Sequence, residues 1–102
     1  MGLLNRRSAP ATNEKVEKEI TIVNRLGLHA RPAAMFVRIS SRYRAEVWVS
    51  KEGEEVNGKS IMGLMMLAAG PGSKVTLHVK GADAAAAIVE LEELVKRKFD
   101  EE

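Results

Sequence analysis

Gly27-Leu28-His29-Ala30-Arg31-Pro32-Ala33-Ala34 puts a histidine where a glycine turn runs into the start of a helix. A helix start presents backbone N–H groups that have no partner within the helix, together with the positive end of the macrodipole. Such a place receives anions readily. Neutral imidazole is a nucleophile, and a phosphoryl group on His29 could be met by the open amides and by the Arg31 guanidinium two residues on. The plainer alternative is a histidine that only caps or packs at a turn. His78 makes the contrast: it sits mid-strand between Leu77 and Val79 with no glycine loop or arginine beside it, and reads as a surface strand residue.

Three further groups lie near this motif in the pattern. Arg31, Arg38 and Arg42 are spaced by seven and four residues, which places them within about 40° of one another on a helix. Met35 shares that stripe, which is either a solvated helix face or a surface that orients an acidic partner over His29. The segment Ser60-Ile61-Met62-Gly63-Leu64-Met65-Met66-Leu67 is apolar nearly all round. With Leu64 and Leu67 assigned to a core, Ile61, Met62 and Met65 are left over. They form either an adaptable docking patch or part of a wholly buried helix. Ser60 reads as the N-cap of that helix. It is also a place where a phosphate would be tolerated, at a helix start.

The elements that must position these groups follow from periodicity. Residues 1–18 are polar, contain Pro10 and read as a flexible extension ahead of a domain at 19–102. Alternation around Ile20 and Ile22 predicts a strand at 19–24. A helix is expected at 30–42, with Pro32 in its first turn and Ala33, Phe36, Val37 and Ser40 facing inward. Strands are expected at 45–51, 55–57 and 74–80, the last with Val75, Leu77 and Val79 on one face. A short helix at 61–68 should stop at Gly70-Pro71-Gly72. A last helix at 84–98 should be capped by Asp83 and bury Ile88, Leu91 and Val95. The strands alternate, so one face of the sheet should carry the helices and the other stay open.

Composition narrows the function classes. The 102 residues include no cysteine, which removes disulfide scaffolds, thiolate zinc sites and cysteine nucleophiles. Two histidines so differently placed make no metal site, and no motif calls for a cofactor. No apolar run approaches the roughly 20 residues of a membrane span. One Trp, one Tyr and two Phe offer no stacking platform for bases. Gly58-Lys59-Ser60 lacks the earlier glycine of a P-loop. The net charge of +2 hides a segregation, because residues 20–82 carry nine basic and four acidic side chains while residues 83–102 carry three and seven. The middle of the chain therefore suits an acidic protein partner or phosphate rather than nucleic acid or a membrane, and a cytoplasmic location is expected.

Taken in order, three motifs resemble HPr, the histidine-containing phosphocarrier of the bacterial phosphotransferase system. They are Gly27-Leu28-His29-Ala30-Arg31-Pro32-Ala33, Val56-Asn57-Gly58-Lys59-Ser60-Ile61-Met62-Gly63-Leu64-Met65, and Gly81-Ala82-Asp83 before the last helix. The resemblance covers about residues 19–98. It implies an α+β open-faced β-sandwich, β-α-β-β-α-β-α, with a four-stranded antiparallel sheet in order 1-4-2-3 and three helices on one face. It also implies a stoichiometric phosphoryl carrier rather than an enzyme. Phosphorylated enzyme I, charged from phosphoenolpyruvate, would phosphorylate His29 at Nδ1, and the group would pass to the A domains of sugar-specific enzyme II proteins. Arg31 would assist at the phosphate, and Ser60 would be the target of an HPr kinase/phosphorylase. Arg38, Arg42, Ile61, Met62 and Met65 would serve docking, the last three by the match to the family's patch. The extension at 1–18 departs from the family's usual short form. Some relatives serve a nitrogen-related branch or act as regulatory binding modules; silent ones lack the histidine that this chain keeps.

Overall fold

The computed structural model describes residues 14–101. Seven regular elements follow one another: β1 (Lys15–Thr21), α1 (Ala30–Ser40), β2 (Glu46–Lys51), β3 (Glu54–Asn57), α2 (Ile61–Met66), β4 (Lys74–Lys80) and α3 (Ala84–Lys96), with a 3-10 turn at Lys98–Asp100. The strands form one antiparallel sheet in the order β1-β4-β2-β3.

Alternation decides which face of the sheet is covered. Ile20, Val47, Val49, Val75, Leu77 and Val79 are buried against the helices. The residues between them point to the open face, where Glu17, His78, Trp48 and Asn57 lie in register across four strands. On that face His78 bridges strands, with Nδ1 3.0 Å from Glu17 Oε2 and Nε2 2.8 Å from Ser50 Oγ. The helices close the other face with Ala33, Phe36, Ile39, Leu64, Ala84, Ala87, Leu91, Leu94 and Val95.

Several expectations are corrected. The first strand is Lys15–Thr21 rather than 19–24, so the last four residues expected in the extension are strand. Residues 1–13 lie outside the described residues. The obscuring feature is Lys18: it occupies an inward position, between half-buried Val16 and buried Ile20, and reaches Glu92 of α3 at 3.4 Å. An inward-pointing charge on an edge strand disfavours pairing with another sheet edge. In α1 the buried position is Ile39, while Val37 is only partly covered. In α3 Leu94 is buried and Ile88 is half-covered. The short helix ends at Met66, and Ala68 already turns left-handed, before the glycines are reached.

Asp83 does not cap α3 with its side chain. Its carboxylate accepts the Arg44 and Ala45 backbone N–H groups, each at 2.9 Å, and so joins the start of α3 to the start of β2. Those amide hydrogen bonds, the Arg44 one first, hold its pKa below the ordinary carboxylate value. Helix α3 ends at Lys96, and Lys98, Phe99 and Asp100 then take φ near +60° one after another. Buried Phe99 anchors this turn.

Candidate functional site

The loop between β1 and α1 is held at both ends. Ile22 exchanges backbone hydrogen bonds with Ser73 (2.9 Å) and Gly72 (2.8 Å), and Leu28 N–H donates to Ala69 O at 2.9 Å. Gly27 lies against the same segment with φ +68°, and a methyl group on it would stand 2.3 Å from Ala69 O. Glycine is required here both for its backbone angle and for this close approach. The segment that follows α2 thus forms the floor under the loop.

His29 takes an extended conformation at the N-cap of α1, and its carbonyl accepts Ala33 N–H at 3.0 Å. Its side chain makes no capping bond. The imidazole is therefore not serving as a cap, and Ala30 and Arg31 sit in the first turn, where amides lack intrahelical acceptors. The ring is partly exposed, at 37%, which leaves room for a reacting group.

Two residues that the sequence did not single out complete the surroundings. Glu101 Oε2 lies 3.0 Å and Oε1 3.4 Å from His29 Nε2. Fully buried Asn24 donates from Nδ2 to Glu101 Oε1 at 3.0 Å and to Gly27 O at 2.8 Å. Arg31, Arg25, Leu26 and Glu101 line a depression of about 260 Å³ beside the loop. No local motif links residue 29 with residue 101. The only signals were a lone aromatic, Phe99, beyond the last helix and the acidic character of the tail.

Ser60 caps α2 as expected, its Oγ accepting Gly63 N–H at 2.9 Å. The helix is not wholly buried. Leu64 is covered, while Ile61, Met62, Met65 and Met66 are exposed and surround an apolar cleft; Met66 joins the three residues that the pattern had set aside. Helices α1 and α2 lie side by side, and Ser40 of α1 donates to Gly58 O just before α2 at 2.8 Å. Arg38 is exposed and forms no ion pair among the described residues. Arg42 is engaged, with Nη1 3.0 Å from Glu90 Oε2, and the Tyr43 hydroxyl donates to the other oxygen of that carboxylate. The arginine stripe is therefore not uniform. No helix among the described residues is long and apolar enough to cross a membrane.

An open-faced α+β sandwich with an accessible histidine at a helix start beside an apolar surface helix has the architecture of a small histidine phosphocarrier. The comparisons agree. The family model described as "PTS HPr component phosphorylation site" matches residues 16–97. The phosphocarrier protein HPr of Pseudomonas aeruginosa is 51% identical over 84 residues, covering 81% of this chain and 93% of that protein. The HPr of Neisseria meningitidis serogroup A is 48% identical over 86 residues, covering 84% and 97%. The crystal structure of HPr-C-His from Thermoanaerobacter tengcongensis superposes with a TM-score of 0.82 at 46% identity, covering 85% of this chain and 98% of that one. The chain belongs to the HPr family: it is a phosphocarrier of the phosphotransferase system, a phosphoryl-transfer protein and not a catalyst.

Proposed function

We propose that His29 is the phosphoryl acceptor, that it reacts through Nδ1, and that it carries the group in the cytoplasm from phosphorylated enzyme I to the A domains of enzyme II proteins. The supporting observation is the Glu101 carboxylate against Nε2. A carboxylate there favours the tautomer with its proton on Nε2, which leaves the lone pair on Nδ1. That lone pair attacks the donor's phosphorus. A new N–P bond forms, the donor's bond to phosphorus breaks, and its electron pair returns to the donor. The ring becomes an N-phosphorylimidazolium with its proton still on Nε2, facing Glu101. Keeping that proton makes the ring a better leaving group for the second transfer. Arg31 and the first-turn amides of α1 receive the phosphate oxygens. Alignment of two docked proteins supplies most of the rate.

Docking falls to the exposed face of α2, Ile61, Met62, Met65 and Met66, with Arg38 on the neighbouring helix meeting acidic partner groups. Arg42 contributes less because Glu90 neutralises it. Ser60 is the regulatory position, open to a kinase/phosphorylase, and a phosphate there would lie at the edge of the docking face. The carrier domain runs from β1 onward. The test is incubation with phosphoenolpyruvate and enzyme I, followed by mass spectrometry of the acid-labile phosphoryl site. Label on His29, and its loss in His29→Ala with the fold retained, is the expected result. Label elsewhere, or uptake that survives the substitution, refutes the assignment.

A further inference from the structure

We propose that Asn24 is a positioning residue for phosphoryl transfer: it fixes the backbone before His29 and, through Glu101, the proton and orientation of the His29 ring. The inference rests on the reading of His29 as the acceptor.

Asn24 is fully buried, yet it is a poor choice for filling a core. Its Oδ1 is buried and meets no donor among the described residues, a destabilising arrangement that an apolar side chain of similar size would avoid. The amide orientation is not arbitrary. Both neighbours of Nδ2, Gly27 O and a Glu101 carboxylate oxygen, are acceptors, so a flipped amide would set oxygen against oxygen. Asn24 is therefore held by its donor end alone, and both acceptors lead to His29. Gly27 O also receives the His29 backbone N–H at 2.9 Å. Glu101 holds Nε2 of the ring with its other oxygen. One amide thus governs the main chain and the side chain of the same residue.

The route by which Glu101 arrives points the same way. Three consecutive left-handed residues, Lys98, Phe99 and Asp100, bring it to the ring, with Phe99 buried as the anchor. Left-handed backbone is unfavourable for residues other than glycine, and such strain gathers at functional positions. The tail is bent toward a hydrogen bond that Asn24 completes.

The test uses the full chain and a relay whose charge is exchanged between its two ends. In Asn24→Asp the new carboxylate faces the Glu101 carboxylate and repels it. In the double variant Asn24→Asp/Glu101→Gln the amide introduced at position 101 can donate to the carboxylate introduced at position 24, and its carbonyl can still accept from His29 Nε2. Two quantities are read: the His29 tautomer, from ¹⁵N ring shifts at a pH where the ring is neutral, and the rate of phosphoryl uptake from phosphorylated enzyme I. Asn24→Asp is expected to lose the predominance of the Nε2–H tautomer and to slow uptake about tenfold. The double variant restores the contact between positions 24 and 101 but not the one to Gly27 O, so it is expected to recover the tautomer and only part of the rate. Unchanged tautomer and rate in Asn24→Asp overturn the inference. So does a tautomer lost in Asn24→Asp that the second substitution fails to restore, since the effect then does not pass through Glu101. If Asn24→Asp does not fold, Glu101→Ala decides from the less buried end of the relay: the same tautomer change and slowing support the inference, and none refutes it. Absence of label on His29 in the parent protein would instead refute the acceptor assignment, a separate result.

Discussion

Replacing Gly27 by alanine puts a methyl carbon 2.3 Å from Ala69 O and 2.7 Å from Gly70 Cα, both backbone atoms that cannot rotate away. Two costs add. A left-handed backbone at φ +68° is about 1–2 kcal/mol worse for a residue with a Cβ. Relieving the overlap means moving the loop off its floor, an overpacking cost of about 1–3 kcal/mol. The same movement stretches the Leu28–Ala69 hydrogen bond, a further loss of about 1 kcal/mol. The expected destabilisation is about 3–6 kcal/mol, a large part of the 5–15 kcal/mol available to a domain. Gly53→Ala is the internal control: its φ is +85°, but no atom of the described residues lies within 4 Å of the added methyl, so only the conformational cost of about 1–2 kcal/mol applies. Urea titrations of both variants, fitted with a common slope, measure the difference directly. Phosphoryl uptake on the folded fraction of Gly27→Ala should also fall, because His29 moves with the loop. Equal destabilisation of the two variants would refute the role given to the Ala69 contact.

Met65→Glu, on the exposed side of α2, should weaken binding to enzyme I while leaving the melting temperature nearly unchanged; titration calorimetry and melting on one sample check this, and a large drop in melting temperature with unaltered affinity would count against it. Ser60→Ala should cost about 1 kcal/mol through loss of the cap, seen in denaturant titration. Ser60→Asp should keep the fold by circular dichroism but raise the KM of enzyme I for the carrier, more so at low salt; an unchanged KM at both ionic strengths would remove the docking explanation. Asp83→Asn removes a carboxylate whose folded pKa is depressed by the Arg44 and Ala45 amides. Such a group adds stability above its unfolded value near 3.9 and loses it as the pH falls through the lower folded value. The variant should therefore be less stable at neutral pH, with a flatter decline in stability below about pH 4, measured by urea titration across that range; an unchanged acid slope would contradict the assignment.

The sheet could be read from the sequence wherever its inward residues were all apolar. Val75, Leu77 and Val79 define β4 to the residue. β1 was displaced because its inward row contains Lys18, an ion-pair partner of Glu92 rather than a core residue, while buried Ile22 and Asn24 continue the apparent burial beyond the strand's end. Asp83 has the sequence position of a cap, and only tertiary contact shows that its hydrogen bonds go to Arg44 and Ala45, just before β2. The centre of the site was legible because glycine, histidine, arginine and proline act locally there. Glu101 and Asn24 were not, because they are 77 residues apart and meet only in the folded chain.

The placement of the single tryptophan has a practical side. Trp48 stands on the open face of the sheet, partly exposed, with its indole N–H 3.4 Å from Glu46 Oε1. The helices, the histidine loop and the methionine cleft all belong to the opposite layer. Its fluorescence therefore reports on the aqueous side of the sheet. Emission should follow global unfolding, where the strand dissolves, and stay nearly constant when a partner settles on α2. A spectroscopist titrating partner proteins can use this chain's own indole as a baseline for concentration and integrity, with the docking signal supplied by a probe placed on the other layer.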